Sequence, residues 1–192
     1  MRISGGIAKG RKVGIKKAFS RKREGDELRP TPAKVRKAIF DILGDRIIGS
    51  RFLDLYAGTG AVGIEALSRG ADKAIFVDGN PARVSVIRDL TEKFGFKNSA
   101  TVVKDKTFNF LKKSASVFDI IFVDPPYSSD ELELILPLID DTAILSNNGL
   151  VIAEHSSKKI LPSAFKNLIL KKSYKYGDTS LTVYEKNRKE QT

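Results

Sequence analysis

From residue 51 onward, short runs rich in β-branched and aromatic residues alternate with stretches of helical periodicity, a rhythm that few folds accommodate. The runs are Phe52 to Tyr56, Ala74 to Asp78, Thr101 to Val103, Phe118 to Val123 and Leu150 to Ala153. Each is nearly continuous in apolar residues, as strands buried on both faces are, and each is followed by a segment that can cross over. They are expected to form a parallel sheet with helices on both faces, an α/β architecture. The end of the chain differs. Leu168 to Tyr176 and Ser180 to Glu185 are separated only by a turn at Gly177-Asp178, which predicts an antiparallel C-terminal hairpin at the sheet edge.

Ahead of the sheet, Thr31-Pro32 reads as a helix start, with threonine capping and proline at the first helical position. Val35, Ile39, Ile42 and Leu43 then share one helical face, and the helix is expected to run to about Gly44. Residues 1–30 form no long periodic element. Arg2 to Gly6 and Lys12 to Ile15 are expected as short strands of a small basic hairpin, an extension preceding a single domain over 31–192.

That first segment carries ten Lys/Arg against three acidic residues, and the whole chain has a net charge of +11. Clustered cations gain affinity for nucleic acid by releasing condensed counterions, so a polyanionic partner is expected. A soluble basic surface has the same composition, so charge alone does not decide the matter. Arg2, Arg11, Lys12, Arg29 and Arg36, in or beside the segment, are expected to touch phosphates. Cysteine is absent and His155 is the one histidine, which excludes disulfide frameworks and thiolate zinc sites; no metal is expected. His155 is expected to be structural. With no 18-residue uncharged run and no apolar segment behind the basic N-terminus, a cytoplasmic protein without membrane contact is expected.

The loop after the first strand, Asp54-Leu-Tyr-Ala57-Gly58-Thr59-Gly60-Ala-Val-Gly63, is the first chemical signal. Its glycines let the backbone approach a nucleotide-like ligand where side chains would clash. Gly58, Gly60 and Gly63 also satisfy the dinucleotide pattern, with Asp78 twenty positions after Gly58, and a tight strand-to-helix turn would use the same glycines. Asp54 tips the balance towards S-adenosylmethionine: it would face that ligand's ammonium, whereas a pyrophosphate would be repelled. Asp78 is expected at the ribose hydroxyls and Asp105, after the third strand, at the adenine amino group.

The second signal is Asp124-Pro125-Pro126-Tyr127 at the carboxyl end of the fourth strand, close to where the glycine loop must lie. Two prolines stiffen the turn and remove two donors, so Asp124 and the Pro125 carbonyl offer only acceptors. An exocyclic base amine is a poor nucleophile because its lone pair is delocalised into the ring. Acceptors on both N–H bonds would pyramidalise the nitrogen towards a methyl donor. An aspartate is a weak base, but the amine becomes acidic once methyl transfer makes it cationic. Tyr127 would stack on the extruded base, a contact of about 1–3 kcal/mol in comparable sites.

The chain resembles the bacterial 16S ribosomal RNA guanine-N2 methyltransferases of the RsmD type. The likeness rests on Arg2 to Gly6 with Lys9-Gly10-Arg11, on Leu28 to Thr31 with Val35-Arg36, on Asp54 to Gly63 continuing through Glu65 to Ala71, and on Asp124 to Tyr127. It implies a Rossmann-like class I methyltransferase fold with a seven-stranded sheet, S-adenosylmethionine as donor, and N2-methylation of one guanine in 16S rRNA of a 30S subunit or assembly intermediate. A monomer is expected. Asp78 stands where the family usually has glutamate, Thr59 where it has serine, Tyr127 where phenylalanine is frequent, and Lys106 at the adenine-contacting position after strand three. Three rivals stay open on the residues alone: adenine-N6 methylation of DNA, which the same acceptor turn would serve; a nicotinamide oxidoreductase; and a non-catalytic RNA-binding assembly factor.

Overall fold

The computed structural model describes residues 2–12 and 31–186. Helix α1 (Ala33–Leu43) and a 3-10 turn (Gly44–Ile47) lead into β1 (Arg51–Leu55), α2 (Ala61–Ser68), β2 (Lys73–Asp78), α3 (Pro81–Lys93), β3 (Ala100–Lys104), α4 (Thr107–Lys113), β4 (Phe118–Val123), α5 (Glu131–Asp141), β5 (Leu145–Ser156), β6 (Leu168–Tyr176) and β7 (Thr179–Lys186). Seven strands form one sheet in the order β3-β2-β1-β4-β5-β7-β6. The pairs from β3 across to β5 are parallel, and β7 runs antiparallel to both β5 and β6. This is the expected Rossmann-like sheet with its C-terminal hairpin. Among the described residues no helix is long and apolar enough to cross a membrane.

Alternation along the strands explains the layers. Phe52, Phe76, Ile120, Phe122 and Ile152 pack with the apolar faces of α1, α2 and α3. Their neighbours Leu53, Val77, Ile121, Val123 and Val151 pack with α4 and α5 on the other side. The sheet therefore has buried apolar residues on both faces, which is why its runs lack a polar period. The strand order reverses between β1 and β4, and ligands of open α/β sheets bind beyond the strand ends at such a point. Register sharpens this: Leu55 pairs with Val77 and with Val123, and Val123 pairs with Ala153. The next residues, Tyr56, Asp78, Asp124 and Glu154, thus lie at one level, where β1 and β4 end while Asp78 and Glu154 are still paired with Lys104 and Leu181.

Three expectations are corrected. Thr31 does not cap α1: Pro32 holds the N-cap position, with no side-chain capping bond. β5 begins at Leu145, five residues before the apolar run, because Leu145 pairs with Phe118 across an irregularity that bulges the polar Asn147-Asn148 stretch outward. Arg36 is not a phosphate contact. It is 2% exposed, ion-paired with the fully buried Glu65 at 2.8 Å, and donates to the carbonyl of Arg2 at 2.9 Å.

The basic hairpin is present over the described residues, with Arg2 bridged to Lys12 and the Ile3 N–H donating to the Arg11 carbonyl at 3.1 Å. Val13 to Ile15 and Arg29 lie outside the described residues. The hairpin packs on the end of α2: Ile7 N–H donates to the Ser68 carbonyl at 2.8 Å, and Ala8 N–H to the Ser68 hydroxyl at 2.9 Å. Ile3 and Ala8 are buried there. Gly6 makes the approach feasible, since its φ is +72° and a Cβ would sit 1.7 Å from the Ser68 carbonyl oxygen.

Candidate active site

The carboxyl ends of β1, β2, β4 and β5 open on one cleft of about 690 Å³. Its walls include Asp54, Ala57, Gly58, Thr59 and Asp78 from the cofactor set, and Asp124, Pro125, Pro126 and Tyr127 from the acceptor set. Residues that are far apart in sequence therefore share one chamber, as their places at the ends of adjacent strands require.

The glycine loop is held by carboxylates. Asp78, 5% exposed, accepts the Gly58 N–H at 2.8 Å through Oδ2 and the Asn80 N–H at 2.8 Å through Oδ1. Each oxygen keeps acceptor capacity for a ligand hydroxyl. Asp54, 1% exposed, accepts the Gly63 N–H at 2.9 Å. Burial pushes its carboxyl up to about 8; the Gly63 bond opposes the rise and the charge of Asp78 adds to it. Gly63 has a packing reason: a Cβ there would lie 2.3 Å from Phe76 Cε1 and 3.0 Å from Asp54 Oδ2, so only glycine lets α2 sit against β2.

On the acceptor side, burial raises the Asp124 carboxyl well above its usual range, and the charges of Glu154 and Asp54 raise it further. Thr31 opposes that rise, its hydroxyl donating to Asp124 Oδ2 at 3.5 Å. The threonine assigned to the helix start thus serves the acceptor turn instead. Tyr127 is 39% exposed, and its hydroxyl is pinned, donating to Glu154 Oε1 at 3.1 Å and sharing a hydrogen bond with Thr179 at 2.9 Å. With the hydroxyl fixed, the ring has one orientation and a free face towards the cleft.

Two predicted cofactor residues do not reach the chamber. Gly60 is the N-cap of α2 in a left-handed conformation and packs near Ile87, so it shapes the turn and is not part of the cleft wall. Asp105 is turned onto the start of α4, accepting the Lys106 N–H at 2.8 Å, with Lys113 at 3.8 Å. Lys106, Thr107 and Phe108 line the cleft in its place, at the position the family pattern indicated. His155 is 4% exposed and bonded through both ring nitrogens, to the Ser156 carbonyl and the Thr182 hydroxyl, as a structural residue is.

The structure adds residues that the sequence reading passed over. Glu154 follows the apolar run Leu150 to Ala153 as Asp124 follows Phe118 to Val123, although β5 itself continues to Ser156, and that place after an apolar run is the signal the sequence offers. Tyr56 takes a φ of 61°, the one positive value for a non-glycine among the described residues. Its hydroxyl is buried beside Glu131 and Thr107, and burial together with Glu131 raises its pKa while Thr107 opposes the rise. Nothing in its sequence context announces that strained conformation.

The chain is 34% identical to YlbH of Bacillus subtilis (strain 168) over 189 residues, covering 97% of this chain and 99% of the relative. It is 32% identical to Ribosomal RNA small subunit methyltransferase D of Escherichia coli (strain K12), covering 97% and 90%. Among solved structures, yhhF of Escherichia coli superposes with a TM-score of 0.83 at 28% identity, covering 98% and 99%. The family model described as Conserved hypothetical protein 95 matches residues 1–185. With that match over most of its length and a cleft built from the strand ends that the motifs predicted, the chain belongs to this family, that of the RsmD-type methyltransferases.

Proposed function

We propose that the chain transfers a methyl group from S-adenosylmethionine to the exocyclic N2 of one guanine in 16S rRNA, within the small ribosomal subunit or an assembly intermediate. The observation that carries this reading is the single cleft in which a carboxylate-lined glycine loop faces a rigid acceptor turn. Family membership and the rRNA named for the Escherichia coli relative support the substrate class.

The residues fit the cofactor by their chemistry. Asp54 and Asp78 are buried carboxylates suited to an ammonium and a ribose diol, and Phe108 offers an aromatic face nearby. When bound, the cofactor supplies an electrophilic methyl on a sulfonium. Asp124 and the Pro125 carbonyl hold the two N–H bonds of the target amine, and Tyr127 stacks on the base. The proton released after transfer leaves the amine towards Asp124 or solvent. The decisive experiment offers radiolabelled S-adenosylmethionine to 30S particles lacking the modification. Label in one guanine of 16S rRNA, mapped by mass spectrometry, is the expected result, and unlabelled rRNA rejects the reading.

The raised Asp54 carboxyl gives cofactor binding a pH dependence. Only the ionised form attracts the ammonium, and below about 8 that form is the minority. S-adenosylhomocysteine affinity is therefore expected to rise between pH 6 and 8, by up to about tenfold per unit. Calorimetry on the parent and on Asp54→Asn checks this; equal slopes in both would remove Asp54 from the ammonium site.

The first thirty residues are read as the RNA-facing extension of a cytoplasmic, monomeric enzyme. Arg2, Arg11 and Lys12 are exposed on the hairpin and remain the proposed phosphate contacts there. Reversing the charge of any one of them is expected to weaken rRNA binding and lower the slope of log affinity against log salt by about 1. A salt titration showing the parent slope would place these cations off the RNA.

A further inference from the structure

We propose that Glu154 reads the edge of the target base, its Oε2 accepting the N1–H of guanine while Asp124 and the Pro125 carbonyl hold the adjacent amine. The inference rests on the methyl-transfer reading above and supplies what the acceptor turn lacks. Two acceptors around an exocyclic amine suit guanine N2 and adenine N6 alike.

The placement follows from register. Val123 pairs with Ala153 in parallel strands, so Asp124 and Glu154 stand side by side and project to the same face. Both line the cleft. Glu154 is 3% exposed, and its two oxygens differ: Oε1 accepts the Tyr127 hydroxyl at 3.1 Å, whereas Oε2 is buried with no hydrogen-bond partner among the described residues. A buried carboxylate oxygen without a donor is rare in a folded core, and here it belongs to a cleft in which a ligand is expected. Burial pushes the Glu154 carboxyl up to about 7, and the Tyr127 bond opposes the rise, so an incoming N–H donor draws it to the ionised form.

The two bases differ at the atom Glu154 would meet. Beside its amine, guanine carries N1–H, a donor; beside N6, adenine carries N1 with a bare lone pair. An ionised carboxylate accepts from the first and is repelled by the second, so the discrimination is expected above the raised value of about 7, where the ionised form dominates. The Tyr127 hydroxyl, itself held by Thr179, fixes the carboxylate through Oε1 and so opposes its swinging away to accommodate the wrong base. Tyr127 then has two functions, with its ring against the base and its hydroxyl holding the group that reads it.

The test uses reconstituted 30S particles carrying guanine or 2-aminopurine at the methylated position. The analogue keeps the C2 amine but presents N1 as a lone pair. The parent enzyme is expected to prefer guanine by about 10²-fold in kcat/KM, as sites built to bond a substrate N–H reject analogues lacking it. Glu154→Gln, whose amide N–H can face that lone pair, is expected to lose about 10²-fold on guanine and to narrow the preference at least about tenfold, with S-adenosylhomocysteine affinity unchanged. A parent enzyme that uses both bases within about threefold overturns the proposal even if the variant fails to fold. So does a Glu154→Gln enzyme that loses activity equally on both, which is the signature of a structural role. No transfer to guanine particles by the parent enzyme is a separate outcome, in which the methyl-transfer reading itself falls.

Discussion

Asp124→Ala lowers the rate of methyl transfer by about 10²–10³-fold at saturating cofactor and RNA, while S-adenosylhomocysteine still raises the melting temperature as it does for the parent enzyme. The expectation comes from what the amine needs. Its lone pair is shared with the ring, and a fixed acceptor on each N–H bond favours the pyramidal geometry in which that pair points at the methyl. In the proposed reaction Asp124 provides one acceptor from a half-buried position, steadied by the Thr31 hydroxyl. The other comes from the Pro125 carbonyl, which alanine at position 124 leaves in place, so a residual rate survives. Because burial, Glu154 and Asp54 all raise the Asp124 carboxyl, protonation, which presents a donor where an acceptor is required, sets in at a higher pH than for an ordinary aspartate. The single-turnover rate should therefore climb as pH rises through that raised value. Asp124→Asn keeps a carbonyl acceptor and removes the titrating group, so it should keep part of the rate and flatten this climb. An alanine enzyme within tenfold of the parent rate would take Asp124 out of the chemistry.

How much of this site could be read from the chain depends on what each residue answers to. The glycine loop and the Asp124 to Tyr127 turn are local devices whose residue types follow from the backbone they must adopt, so they stand out in the sequence. β1, β2 and β4 are legible for a similar reason, being buried on both faces. The first half of β5 is not, since Asn147 and Asn148 are exposed at a bulge and, with the buried Gly149 after them, imitate a loop. Glu154 is hidden because its importance comes from a neighbour 30 positions away that only the sheet register brings beside it. Asp105 illustrates the opposite error. It is chemically suited to an adenine amino group, but a shift of one residue turns it onto its own helix and leaves Lys106 in the wall. The charge of Arg36 and its place in a basic stretch suggest a phosphate contact. Its helical position, in line with Ile39, Phe40 and Leu43, already put it on the inward stripe of α1.

That inward arginine gives the second large effect. Glu65→Leu is expected to destabilise the protein by about 3–5 kcal/mol, the cost of stranding a buried charge, and to lower the melting temperature on the order of 10 °C. Glu65 is fully buried on α2 and gathers Arg36, Arg69 and both the amide and hydroxyl of Ser4. Without it, the Arg36 guanidinium stays buried with, among the described residues, only the carbonyls of Thr31 and Arg2 for company. The double substitution Arg36→Met with Glu65→Leu should recover most of the loss, because an apolar pair of similar volume fills the same space without a charge to desolvate. Acid should reproduce part of the effect. Burial works against ionised Glu65, but the bonds from Ser4, Arg36 and Arg69 outweigh it and hold its carboxyl below the ordinary glutamate value. The stability it contributes is thus present above that ordinary value and drains away as pH falls through the lowered one. Urea melts of parent, single and double variants at neutral and acid pH separate these contributions; a single variant as stable as the parent would show that the network holds nothing. The same cluster ties the hairpin at Ser4 and Arg2 to the helix that follows the glycine loop, so the two losses should travel together. In the double variant, where the core is repaired but the Ser4 and Arg2 anchors are gone, rRNA methylation should show a raised KM for the particle with cofactor affinity intact, because what has been released is the hairpin's position relative to the cleft.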